Sequence, residues 1–193
     1  MNFYQRANLT FGLAVLLGFE FVVTKSMEPS GQLNHNFNWE VMLWMFFQFV
    51  FRLKVTIDDH HSFGIKQSCP TIRFKDYFLF CFGNLFFVLA AVTSANMKVS
   101  SHFFESGLIV TTLWIMHHSS LAREHSDAIS KSPYKEWIAL NCFYTLFLWI
   151  IVYEEIFHSD NLSIKIFMFI ILFTLLLVDF IVSKTIERMP EIT

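Results

Sequence analysis

Histidines beside acidic residues are the side chains of this sequence that are best suited to chemistry. They form two groups, one in the segment Asp58–His61 and one that begins at the adjacent pair His117 and His118. Imidazole and carboxylate groups together suit zinc or iron, so each group is a candidate for part of a metal site. The candidate metal ligands are His60, His61, His117, His118 and His125.

The spacing of these histidines argues against metal binding. Membrane desaturases and hydroxylases carry HxxxH and HxxHH boxes, and this sequence contains neither pattern. Adjacent histidines also project about 100° apart on a helix, so such a pair rarely binds one ion. We therefore expect a solvated or pH-sensitive layer of histidines at the membrane surface, with a metal site as the alternative.

Motifs that mark a cofactor or a nucleophile are absent from the sequence. It has no Walker loop, no GxGxxG, no GxSxG and no HExxH, so no cofactor is expected and an enzyme is the less favoured class. The three cysteines, Cys69, Cys81 and Cys142, show no CxxC spacing and are expected to be reduced packing residues.

The composition predicts a membrane protein. Hydrophobic residues make up 54% of the 193 residues and charged residues 16%, and Phe alone occurs 25 times. A soluble chain of this length could not bury so much apolar surface, whereas a bilayer would solvate it. The sequence therefore favours an all-α, polytopic helical membrane protein that forms one transmembrane helical-bundle domain over residues 1–193.

Six apolar segments are long enough, or nearly so, to cross a hydrocarbon layer of about 30 Å. The second and fourth segments are the most polar, because they carry Gln48 and Arg52, and His117 and His118, respectively. If neither crossed, four crossings would remain and the termini would still share a side. The predicted segments are 7–24, 39–57, 77–97, 103–121, 137–156 and 162–183.

The basic residues predict the orientation. With the N-terminus in the cytoplasm and six crossings, eleven of the 14 lysines and arginines fall on the inner side. Only Lys25, Lys98 and Lys165 fall on the outer side. This bias follows the positive-inside rule, so both termini are expected in the cytoplasm and the protein in the inner (plasma) membrane.

Four polar residues fall at membrane depth and are called the polar membrane layer: Arg52, Asp179, Glu20 and Gln48. Arg52 and Asp179 lie at matching depth, which suggests an ion pair between the second and sixth helices. In the alternative interpretation, Arg52 reaches the lipid phosphates and Asp179 meets water at the inner interface. Glu20 could equally take part in a proton or cation pathway.

The inner loops predict a surface for a cytoplasmic protein partner. The basic loop residues could also contact anionic lipid, whereas nucleic acid is not directly indicated. The bilayer and further copies of the chain are the other expected partners. The predicted partner surface comprises Asp58, Asp59, Lys66, Arg73, Lys75 and Arg123.

These features favour a non-enzymatic integral membrane subunit that oligomerises and acts as a pore, an effector or a membrane anchor. Small multi-spanning subunits of bacterial anti-phage systems, such as the membrane subunit of Kiwa, are similar in size and kind, so antiviral defence is a candidate role. The alternatives are a membrane enzyme that uses the inner-leaflet histidines and acids on lipid, and a small transporter.

Overall fold

The computed structural model describes residues 3–27, 38–59, 74–125, 134–153, 156 and 161–185. These residues form six α-helices and no strand, which confirms the prediction of an all-helical protein. Each predicted apolar segment coincides with one helix. The helices are α1 (Phe3–Lys25), α2 (Trp39–Asp59), α3 (Phe74–Val92), α4 (Met97–His125), α5 (Tyr134–Tyr153) and α6 (Leu162–Val182).

Three of the described helices are long and apolar enough to cross a membrane. The qualifying stretches are Arg6–Lys25 in α1, Tyr134–Val152 in α5 and Leu162–Val182 in α6. The apolar part of α3, Tyr77–Val92, is shorter. Charged and polar residues interrupt the apolar runs of α2 and α4, as the sequence predicts.

Asparagines start three of the helices. The side-chain oxygens of Asn38, Asn96 and Asn161 accept hydrogen bonds from backbone N–H groups three residues later, at 3.1, 3.2 and 3.4 Å. Such N-caps satisfy a donor that the first helical turn leaves free. They fix the starting points of α2, α4 and α6 at one end of the bundle.

Contacts between helices show that neighbours in sequence run in opposite directions. Asn8 near the start of α1 bonds Asp59 at the end of α2, and Trp137 near the start of α5 bonds Ser183 just after α6. We call this the proximal end of the bundle. The opposite, distal end contains Lys25, Glu40, Asn96 and Lys165, because Lys165 at the start of α6 contacts Glu40 at the start of α2.

Aromatic rings fill the middle of the bundle. Phe51 of α2 packs against Phe104 of α4 and Tyr144 of α5, with ring centroids 5.0 and 5.5 Å apart. Trp44 and Phe47, two turns and one turn earlier on α2, also pack against Phe104 at 5.6 Å each. All five rings are buried, so the centre of the bundle is apolar and closed.

The outer surface of the bundle is also apolar. In the membrane-length stretches of α1, α5 and α6 only 22%, 39% and 28% of the residues are buried. Large apolar side chains such as Leu17, Phe167 and Leu177 are more than 60% exposed. Water would not tolerate so continuous an apolar surface, whereas lipid would solvate it.

Candidate functional site

A buried ion cluster lies at the proximal end, where α2 and α6 run side by side. Lys54 of α2 places its ammonium 2.8 Å from Asp58 Oδ2, one turn further along the same helix, and also contacts Asp179 Oδ1 of α6. The three side chains are only 3 to 4% exposed. One cation therefore joins two carboxylates inside the protein, and we call these three residues the ion triad.

Ser183 completes the polar shell around the ion triad. Its hydroxyl donates to Asp179 Oδ1 at 2.8 Å and accepts from Lys54 Nζ at 3.1 Å. It also accepts from the indole N–H of Trp137 at 2.9 Å, and the Trp137 ring lies 5.9 Å from Lys54 Nζ. The ammonium thus has three oxygen partners for its three N–H groups, which offsets part of its desolvation.

The end of α6 folds back to bring a second hydroxyl to the ion triad. Lys184 has a positive φ of 55°, and the N–H of Thr185 bonds the carbonyl of Phe180. The N–H of Lys184 also bonds the carbonyl of Ile181, so α6 ends in a Schellman motif. Lys184 occupies the positive-φ position of this motif, where glycine is usual. The turn buries Thr185, whose hydroxyl donates to Asp58 Oδ1 at 2.8 Å.

A second buried charge pair lies beside the ion triad, between α1 and α2. Arg52 donates to the side-chain oxygen of Asn8 at 2.8 Å, and the amide of Asn8 donates to Asp59 Oδ2 at 2.9 Å. Arg52 also attracts Asp59 electrostatically. The amide of Asn8 therefore links a cation to a carboxylate and attaches the start of α1 to the end of α2.

A small cavity of about 30 Å³ adjoins the ion triad. Its polar lining includes all three residues of the ion triad, together with Thr111 of α4 and Asn141 of α5. Apolar side chains of α2, α3 and α4 close the other sides. A polar cavity of this size has room for ordered water, since one water needs about 10–15 Å³ by the same kind of measure.

A separate cluster of uncharged polar side chains lies nearer the distal end of the bundle. Gln48 of α2 donates to the hydroxyls of Ser94 at 2.9 Å and Ser100 at 3.4 Å. Trp44 donates its indole N–H to Ser100 at 2.8 Å, and Ser100 donates to the carbonyl of Ala90 at 2.6 Å. These bonds attach α2 to the turn between α3 and α4.

One further ion pair joins α2 and α6 at the distal end. Lys165 Nζ lies 2.8 Å from Glu40 Oε1, and both side chains are largely buried. Glu40 and Lys54 are 14 residues apart, or about 21 Å along a helix. The same two helices are therefore held by ion pairs near both ends, with the aromatic core between them.

The structure gives Arg52 and Asp179 different partners from the predicted ones. Asp179 pairs with Lys54, and Arg52 pairs with Asn8 and Asp59, so the expected ion pair between Arg52 and Asp179 is replaced by two separate contacts. The alternative that both side chains meet lipid or water also differs from the structure, because both are buried.

Of the other two residues of the predicted polar membrane layer, one faces the interior of the bundle and one faces outward. Gln48 is buried and hydrogen-bonded as described above. Glu20 is exposed on the outer face of α1, away from the interior polar groups. A pathway through the bundle that includes Glu20 is therefore not supported by its position.

Of the predicted partner surface, the structure describes the side chains of Asp58 and Asp59 only. Asp58 and Asp59 are buried inside the bundle and hydrogen-bonded there, so their carboxylates are not presented to a partner. Lys66 and Arg73 lie outside the described residues. Lys75 and Arg123 belong to α3 and α4, and the positions of their side chains are not among the described ones.

The histidine groups are only partly described. His117 belongs to α4, and its Nε2 atom is buried. His118 and His125 lie on the same helix without described side chains, and His60 and His61 fall outside the described residues. In the described part of the chain, no three His, Cys, Asp or Glu side chains are placed to share a metal ion.

Several residues of the site were not singled out from the sequence. The sequence places Lys54 only among the inner basic residues, and it does not identify Asn8, Ser183 or Thr185 as residues of a site. A usable signal was present, because Lys54 and Asp58, and likewise Asp179 and Ser183, are four residues apart and share a helix face. The contacts of Asn8 and Thr185 depend on the packing of distant segments and left no local signal.

In comparisons with known proteins, the chain matches no protein-family model, no curated protein and no solved structure. The class that the structure defines is an all-helical protein with three helices able to span a membrane, which indicates membrane association.

Proposed function

We propose that the chain is an integral membrane protein that crosses the inner membrane six times, with both termini in the cytoplasm. The alternating directions of the six helices support this topology, because each helix would lead the chain back across the bilayer. Helices α2 and α4 are too polar to insert easily alone. Their charged and polar groups that are buried face other helices, and this makes insertion as part of a bundle reasonable.

The positions of the basic residues support the proposed orientation. Lys25, Lys98 and Lys165 belong to the distal end, and Lys135 and Lys184 belong to the proximal end. The distal end would therefore face outward and the proximal end, with the ion triad, would lie near the cytoplasm.

Single cysteines introduced at the two ends test this topology. In a chain whose native cysteines are replaced by serine, we expect Asn96→Cys to react in intact cells with a maleimide that does not cross membranes. We expect Lys135→Cys and Lys184→Cys to react only after permeabilisation. Equal reactivity of all three in intact cells would contradict the six-crossing arrangement.

Within this topology, the function best supported is that of a non-enzymatic membrane subunit that serves as an anchor and associates with further copies of itself. The observation that carries this proposal is the closed aromatic centre formed by Trp44, Phe47, Phe51, Phe104 and Tyr144. A single copy has no open channel through these rings. This favours an anchor over a pore within one copy, and a role in anti-phage defence stays a prediction.

An apolar groove between α4 and α5 is the best candidate for contact between copies. Its volume is about 420 Å³, and Thr112, Cys142 and Thr145 contribute small side chains to its lining. Small residues allow close approach of helices in membranes, where packing rather than the hydrophobic effect drives association. Cys142 is exposed on this face and provides a natural probe.

Cross-linking through Cys142 tests the association of copies. In a chain with Cys69 and Cys81 replaced by serine, oxidation in native membranes should give a disulfide-linked dimer. The matched control keeps Cys81 and replaces Cys142 by serine, and it should stay monomeric because Cys81 is only partly exposed on α3. Equal dimer yields from the two variants, or no dimer from either, would contradict contact through this groove.

Recovery of a partner tests the anchoring role separately. Mild detergent extraction of the tagged full chain should retain a cytoplasmic protein that Lys66→Glu and Arg73→Glu, introduced together, release. Conductance or dye entry on expression of the chain, with no retained protein, would instead favour a pore between copies.

A further inference from the structure

A weakly paired carboxylate lines the apolar groove between α4 and α5. Among the described residues that line this groove, Glu105 of α4 alone carries a charge, and its side chain is only 13% exposed. The charged group beside it is His102, whose Nδ1 atom lies 3.9 Å from Glu105 Oε2, too far for a hydrogen bond. Within the described part of the chain, no hydrogen bond reaches this carboxylate. Glu105 is therefore largely removed from solvent without a strong partner.

A carboxylate of similar burial elsewhere in the bundle has a close cation. Glu40 of α2 is 10% exposed and lies 2.8 Å from Lys165 Nζ of α6. Removing a carboxylate from water is costly, and a cation or a proton must offset that cost. The described residues provide a cation at Glu40, whereas at Glu105 they provide only an exposed histidine. A cation from outside the chain would therefore bind favourably beside Glu105.

The rest of the groove suits an apolar molecule. Its volume of about 420 Å³ lies within the range of roughly 300–1,000 Å³ that is usual for pockets that bind small organic molecules. Ile109, Leu113 and Leu146 contribute aliphatic side chains to the lining. Glu105 lies eight residues before Leu113 on α4, about 12 Å along the helix, and so at the distal end of the groove. Trp149 of α5 lines the same end, and an aromatic ring also favours a cation.

We propose that this groove binds a lipophilic cation, an organic ammonium or phosphonium ion surrounded by apolar groups, with its charge beside Glu105. A metal ion fits less well, because the described lining offers it a single carboxylate. A neutral lipid chain would fill the apolar part and leave the carboxylate without a cation. Every residue of the site belongs to one copy, so this inference goes beyond the proposed contact between copies and does not rest on it. A bound cation and a second copy would compete for the groove.

Equilibrium binding of tetraphenylphosphonium to the full chain in phosphatidylcholine nanodiscs tests the proposal, with empty nanodiscs as the baseline. We expect saturable binding of one ion per chain. Tetraphenylborate, which has the same shape and the opposite charge, should bind no more than it does to empty nanodiscs. Absence of saturable tetraphenylphosphonium binding, or equal saturable binding of both ions, would overturn the proposal.

Substitutions of Glu105 test the role of its charge. Glu105→Gln should weaken tetraphenylphosphonium binding by about tenfold or more, because the charge contact lies largely out of water. Glu105→Asp keeps the charge and should bind more tightly than Glu105→Gln. Glu20→Gln removes an exposed carboxylate on the outer face of α1 and should leave the affinity unchanged. Circular dichroism verifies that each variant is folded, and a folded Glu105→Gln with wild-type affinity would overturn the assignment.

Two tryptophan substitutions on α5 locate the bound ion. Cys142→Trp would fill part of the groove and should reduce binding, whereas Phe143→Trp should not, because Phe143 is exposed outside the groove lining. Equal affinities of these two variants would overturn the location. The Cys142 disulfide separates this inference from the proposed association of copies. A chain that forms the disulfide-linked dimer but binds no tetraphenylphosphonium would retain the association and overturn the ligand site.

Discussion

Lys54 serves two carboxylates, so the members of the ion triad are not equivalent. Removing one carboxylate leaves the ammonium in contact with the other, whereas removing the ammonium takes away the cation that both buried carboxylates contact. The hydrogen bonds from Ser183 and Thr185 would remain without the ammonium, but they cannot replace a cation. Charge, rather than the number of contacts, decides the cost of a substitution here.

Lys54→Met should therefore destabilise the protein much more than Asp179→Asn. We expect a loss of about 3–5 kcal/mol for Lys54→Met, because it removes the cation that two buried carboxylates contact. Asp179→Asn should cost about 1 kcal/mol, the scale of a changed hydrogen bond. Thermal unfolding in detergent, followed by circular dichroism, measures both, with the exposed Lys25→Met as a control expected within about 0.5 kcal/mol. Equal losses for the two triad variants would contradict the charge argument.

A double-mutant cycle distinguishes the observed pairing from the one that the sequence suggested. Lys54→Met and Asp179→Asn should show a coupling energy above about 1 kcal/mol, because the two side chains are in contact. Arg52→Met and Asp179→Asn should be nearly additive, since Arg52 is bonded to Asn8 instead. Stronger coupling of Asp179 to Arg52 than to Lys54 would show that the predicted pair is the real one.

At the scale of the helix, the sequence predicts the level of a residue along the bundle better than the direction of its side chain. The level follows from a fixed rise per residue, and Asp179 contacts Lys54, only two residues from Arg52. Arg52 and Lys54 differ by two residues, or about 200° around the helix, and only packing decides which one faces α6. Apolar runs located all six helices, but nothing local in the sequence showed that Asp58 and Asp59 turn inward.

Helices α3 and α4 approach each other closely at Gly83. A Cβ atom on Gly83 would lie 2.9 Å from the hydroxyl of Thr111 and 3.4 Å from its backbone nitrogen. Either the Thr111 side chain or the helices themselves must therefore shift if the residue is larger. Gly12 of α1 is a matched control, because a Cβ atom there would meet nothing within 4 Å.

Gly83→Ala should destabilise the bundle by about 1–3 kcal/mol through overpacking. Gly12→Ala should be neutral or stabilising by up to about 1 kcal/mol, since alanine favours a helix and finds open space. Unfolding of the two variants in the same detergent gives the comparison. If Gly83→Ala is as stable as Gly12→Ala, the close approach of α3 and α4 does not limit the packing.

At the scale of the whole molecule, the distribution of polar and apolar side chains between inside and outside is the reverse of that in a water-soluble protein. Ion pairs, amides and hydroxyls join α1, α2, α5 and α6 inside, while apolar side chains cover the outside. In lipid, buried polar contacts can hold helices together because their alternative is an unsatisfied group in hydrocarbon. The outer surface should consequently tolerate a charge only where it lies near water.

Arginine substitutions at two depths of α6 test this arrangement. Ile170 and Leu162 are similarly exposed, at 56% and 57%, but Ile170 is near the middle of the helix and Leu162 is its first residue. Ile170→Arg should impair insertion by about 3 kcal/mol, and the protein should be lost from the membrane fraction. Leu162→Arg should accumulate normally, because its side chain can reach the interface. In water both changes would be harmless, so equal accumulation of the two variants would argue that α6 does not cross a membrane.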